Sequence, residues 1–124
     1  MHITNLEVRK TKSVEWWRSA AQHMWRTYFA LLRDGFTIEE LSDTNRKIFI
    51  MCNQIYSTRF IRTDQDILKM YFTSRWGDDL YAVDEYSTKH NIPQKVIWMV
   101  IRRANRAVME ETGLLEKKGE NDDE

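Results

Sequence analysis

Apolar residues recur along most of this chain at intervals of three and four, the spacing that gathers them on one face of an α-helix. From Ser13, a plausible N-cap, Val14, Trp17, Ala21, Met24, Tyr28 and Leu31 form such a stripe. Trp16, Trp25, Phe29 and Leu32 widen it beyond what one partner helix needs. Arg33-Asp34-Gly35 ends the helix, with Gly35 suited to a left-handed stop. Thr37 and Glu40 have capping-box spacing and predict a short helical turn. Asp43 or Thr44 then caps a helix that carries Ile48, Met51, Cys52 and Ile55 inward and runs to about Arg59.

A third helix starts at Thr63-Asp64-Gln65-Asp66, places Ile67, Met70 and Tyr71 on one face, and is expected to end near Trp76-Gly77. Asp78 and Asp79 open a fourth, which passes through Leu80, Val83 and Tyr86-Ser87 to Asn91, a residue that tolerates a left-handed stop. Pro93 stands at a first-turn position of the last helix, where its missing N–H costs nothing. The inward set there is Ile97, Val100, Ile101, Ala104 and Val108, and Gly113 closes the helix. Residues 1–12 alternate only weakly through Ile3, Leu6 and Val8 and read as an arm or a short strand, while Leu114 and Leu115 extend the apolar run.

The expected fold class is therefore all-α, about five helices in one domain over 13–115. Its halves are 13–62 and 63–115, preceded by an N-terminal arm (1–12) and followed by a disordered acidic tail (116–124). One Pro and four Gly in 124 residues leave few breakers, in keeping with long helices. A composition 42% hydrophobic and 31% charged is that of a folded soluble protein.

The single Cys52 excludes an internal disulfide, and with only His2, His23 and His90 beside it no metal site is expected. No apolar run approaches the length of a membrane span, and the opening MHITNLEVRKTKS lacks the apolar block of a signal peptide, so a reduced, cytoplasmic setting is expected. No spacing suggests a Ser-His-Asp or Cys-His arrangement or a phosphate loop, so neither enzymatic activity nor a cofactor is expected.

Net charge is zero, yet its distribution is uneven. Arg9, Lys10, Lys12, Arg18, Arg26 and Arg33 outnumber acids in the first segment, and Lys95, Arg102, Arg103 and Arg106 cluster later. Acids gather at Asp78-Asp79, Asp84-Glu85 and in the tail. Mixed charges of this kind also solvate ordinary helix faces.

The stretch 79–108 carries the functional signal. Two helices meet at a tight turn, His90-Asn91-Ile92, with the small Ser87 where the second must approach the first, and Ile97 and Val100 pointing back to the core. The run from Ile92 to Val108, with Arg102-Arg103-Ala104 in it, resembles the recognition helix of sigma-70 region 4, and Asp66–Phe72 is similar to the helix preceding that pair. Small bacteriophage transcriptional regulators of the ArpU/RinA kind share this layout, and the resemblance covers roughly 64–112.

It implies a cytoplasmic protein of a bacterial host that binds double-stranded DNA. Gln94 and Lys95 would then reach base edges, Trp98 would stack on sugar or a thymine methyl, and Arg102, Arg103 and Arg106 would hold phosphates. Trp98 and Met99 depart from the family by standing at outward positions that are usually polar. Such a pair more often packs on protein, which points to the alternative of a small phage-type protein that binds and inhibits or redirects a host protein, such as the transcription machinery, with the same helical fold. Trp16, Trp17, Trp25 and Met99 are the candidates for a partner or homodimer interface.

Overall fold

Twenty-one residues from Val14 to Asp34 form the first helix, α1, and its buried face is Trp17, Ala21, Trp25, Tyr28 and Phe29. In this computed structural model residues 14–75 and 77–113 are described. The N-terminal arm, the Ser13 cap, Trp76, Leu114-Leu115 and the acidic tail lie outside the described residues. Helix α1 stops at Gly35, whose φ of +70° is the left-handed conformation expected there. No atom lies within 4 Å of where a Cβ would stand, so backbone conformation rather than space selects the glycine.

A 3-10 turn, Ile38–Glu40, follows, and its capping box forms: the Thr37 N–H donates to Glu40 Oε1 at 2.7 Å. That bond, with the Thr37 side chain, holds the Glu40 carboxyl below the usual carboxylate range. Helix α2 spans Asp43–Arg59, and its cap is Ser42 rather than Asp43 or Thr44. Ser42 has extended backbone and its Oγ accepts the Asn45 N–H at 3.2 Å, which leaves Asp43 in the first turn, near the positive end of the helix dipole. Cys52 and Ile55 are buried on α2, and Ile48 and Met51 half-buried beside them.

Helix α3 covers Arg62–Phe72. The Gln65 side chain locks the break before it, donating to the carbonyls of Tyr56 and Phe60 at 2.9 and 3.1 Å. The helix ends at Phe72, four residues short of the expected Trp76. Thr73 and Ser74 hydroxyls donate to the Lys69 and Tyr71 carbonyls, both at 2.6 Å, and so satisfy the terminal acceptors locally. Helix α4, Asp79–His90, stops at Asn91 with φ 55° and ψ 47°, again left-handed. Ser87 grips the turn from both sides: its carbonyl accepts the Ile92 N–H at 3.1 Å, and its hydroxyl donates to the Ile92 carbonyl.

Helix α5, Gln94–Glu111, begins one residue after Pro93, whose carbonyl accepts the Val96 and Ile97 N–H groups. All five residues expected to face inward are buried, together with Asn105, Ala107 and Met109. The reason is topological: α5 packs against each of α1, α2, α3 and α4. Gly113, with φ +79°, follows it.

The described residues are thus all-helical, with five α-helices around one core. Trp25 is central to that core. It stacks on Phe29 and Phe72, and its Nε1–H donates to the Ala104 carbonyl at 2.9 Å, tying α1 to α5.

Candidate nucleic-acid interface

The helix that contacts every other one turns its remaining side outward. Residues 94–109 contain no acid, and Lys95, Met99, Arg102 and Arg106 recur at intervals of four, three and four along one exposed stripe. Val96, Gln94 and Arg103 flank it and are also exposed. Because Ile97, Val100, Ile101 and Ala104 fix the opposite side in the core, the stripe is presented on a rigid support.

The side chains on it are not equally available. Gln94 Nε2 donates to Asp84 Oδ1 of α4 at 2.9 Å. Arg103 Nη1 meets Asp64 Oδ2 at 3.3 Å, and its guanidinium lies 5.0 Å from the Phe60 ring centroid. Arg106 Nε meets Glu110 Oε2 at 3.2 Å, and Arg59 of α2 also reaches Glu110 and Glu111, at 3.8 and 3.5 Å. In the Arg103–Asp64 and Arg106–Glu110 pairs the arginine is exposed while the carboxylate is largely covered, so the cation reaches solvent but the carboxylate loses that partner if the arginine moves away.

Three expected positions need correction. Trp98 is not outward: it is half-buried against the core, edge-on to Tyr71 with ring centroids 5.7 Å apart. It adjoins the inward Ile97, and the α3 ring covers the side that faces away from the stripe. Trp25 cannot serve a partner interface, because it is 0% exposed. Trp17 is buried as well and makes an edge contact with Trp16 at 4.5 Å. Of the four proposed interface residues, Trp16 at 47% and Met99 at 48% reach the surface, on different helices.

A second polar surface lies between α1 and the end of α3. Arg26 of α1 donates from Nη1 to the Phe72 and Ser74 carbonyls at 3.4 and 3.0 Å, and its guanidinium carbon lies over the Tyr71 and Phe72 rings, 5.5 and 6.0 Å from their centroids. Beside it, Gln22 donates to the Tyr71 hydroxyl at 3.2 Å, and that hydroxyl reaches Asp79 at 3.3 Å. Burial foremost, with the Asp79 charge next, raises the Tyr71 phenol above its ordinary range. The sequence signal for this surface was the basic excess in the first segment, which contains Arg26 and Arg33.

Cys52 is buried, and burial pushes its thiol up to about 12, so it stays a neutral core side chain rather than a thiolate. No helix among the described residues is long and apolar enough to cross a membrane. Compared with known proteins, the chain matches no family model, no curated protein and no solved structure.

Proposed function

We propose that the protein is a non-enzymatic transcriptional regulator that binds double-stranded DNA through the outward stripe of α5, acting in the manner of the sigma region 4-like helix-turn-helix proteins it resembles. The observation that carries this reading is the acid-free, cationic face of a helix whose other side is held by all four neighbours. Lys95 lies in the first turn, the part that a recognition helix inserts deepest. The Asp84 carboxylate can only accept, so it fixes which end of the Gln94 amide it faces and orients the rest. The Gln94 Oε1 and its second amide hydrogen then suit the N6 and N7 edge of adenine. Arg102 and Arg106, further along, supply phosphate contacts that set affinity and register.

The test is duplex binding to a genomic fragment library by the protein and by a Lys95→Ala/Arg102→Ala variant. Each lost cation should reduce the slope of log affinity against log salt by about 0.9, and affinity should fall by tenfold or more. Unchanged affinity in the variant would remove α5 as the interface.

One observation favours a different partner: exposed Met99 interrupts the cationic stripe and exposed Val96 flanks it, while Arg103 and Arg106 already hold carboxylates. A protein docked on Met99, host or self, would show weak salt dependence and a large loss on Met99→Ala. DNA binding predicts the reverse on both counts.

A further inference from the structure

Arg26 presents an unusual electrostatic situation. Its Nε is enclosed and has no hydrogen-bond partner, and among the described residues no carboxylate forms an ion pair with it. The bonds it does make, to the Phe72 and Ser74 carbonyls, leave its charge uncompensated. The same side chain lines two cavities. One, of about 270 Å³, is bounded by Ser19, Gln22, His23 and Arg26, a single stripe of α1 at intervals of three and four. The other, of about 540 Å³, adds Arg33 on α1 with Lys69, Thr73 and Ser74 at the end of α3. No acid is among the described residues that line either.

From Ser19 to Arg33 the track runs about 21 Å along the α1 axis, far longer than one small ion can occupy. Its donors are guanidinium, ammonium, amide and imidazole groups and the Ser19 hydroxyl, the set that recognises phosphate oxygens, and the Arg26 guanidinium lies over the Tyr71 and Phe72 rings. Arg33 pairs with its neighbour Asp34 at 3.1 Å, but both are exposed, and so weak a pair yields to a stronger anion.

We infer that the α1–α3 groove centred on Arg26 binds a chain of phosphates, either a polyphosphate or the phosphodiester backbone of a single strand. The groove contains no α5 residue, so the inference does not rest on the α5 reading.

The experiment measures binding of inorganic triphosphate, a hexathymidylate and a hexaglutamate to the full chain, and repeats it with Arg33→Ala/Lys69→Ala. Both replaced residues are exposed, and an unchanged melting temperature would establish that the variant is folded. At least one phosphate probe should bind, and the double variant should weaken it by about tenfold per residue removed. Triphosphate alone would identify a polyphosphate or nucleotide tail as the ligand, and hexathymidylate alone a nucleic-acid strand. Hexaglutamate binding as tightly as the phosphates, an unaltered double variant, or no binding at all would overturn the inference. So would loss of phosphate binding in Lys95→Ala/Arg102→Ala, which would place the site on α5 instead.

Discussion

The outward face of α5 and the groove between α1 and α3 are both cationic, but their charges are disposed of differently. On α5, Arg103 and Arg106 hold Asp64 and Glu110, and Gln94 holds Asp84. In the groove, Arg26 is bonded to neutral carbonyls, and the described lining contributes no acid. A count of cations therefore says little about which surface attracts an anion. Partner assignment decides it, and among the described residues it leaves two cations outside any ion pair on each surface, Lys95 and Arg102 on α5 and Arg26 and Lys69 in the groove. Position matters too: the α5 cations sit outside a helix that organises the whole core, while Arg26 is itself part of the seam between two helices.

The two surfaces share one support, and removing it gives the largest effect. Trp25 contacts α3 through Phe72 and α5 through the Ala104 carbonyl. Trp25→Ala should destabilise the fold by about 3–5 kcal/mol in urea unfolding, and abolish both surfaces together. A loss under about 1 kcal/mol would mean that α1 is not held on α5 in this way, and the comparison would lose its common frame.

A smaller, asymmetric effect separates the two arginine settings. Arg26→Leu leaves the Phe72 and Ser74 carbonyls short of a charged donor and should cost about 1–3 kcal/mol. Arg103→Ala removes a pair whose arginine end is exposed, together with a ring contact, and should cost about 1 kcal/mol or less. Equal costs in the same unfolding assay would show that Arg26 is no more committed to the fold than a surface residue.

Local signals made much of the fold legible. Gly35 and Asn91 announced their stops, because a left-handed residue is a short-range requirement, and the α5 periodicity gave all five inward residues. What failed depended on contacts between distant parts of the chain. Trp98 looked outward because its cover, Tyr71, comes from α3. Trp25 was assigned to an interface because nothing local says that a wide aromatic stripe is wholly enclosed. The early end of α3 was partly readable in Thr73 and Ser74, but Arg26 completes it from 46 and 48 residues away. The α5 candidates were found because cations cluster within one helix. Lys69 escaped notice because the groove is assembled from two.

The turn between α4 and α5 offers the finest distinction, because it sets the α5 face and lies outside the groove lining. Asn91 is the only non-glycine described residue with positive φ, and its N–H bonds back to the Ser87 carbonyl. Ala at that position has no side-chain amide to ease a left-handed backbone, so Asn91→Ala should cost about 1 kcal/mol. In a domain of this size that appears as a fall of a few degrees in melting temperature. Asn91→Gly should cost nothing or restore it, since glycine accepts the conformation freely. If the two surfaces are independent, Asn91→Ala weakens duplex binding through α5 and leaves triphosphate binding in the groove unaltered. A matching loss in both would mean that strain at the turn spreads through the core to α1, and that the two cationic regions behave as one.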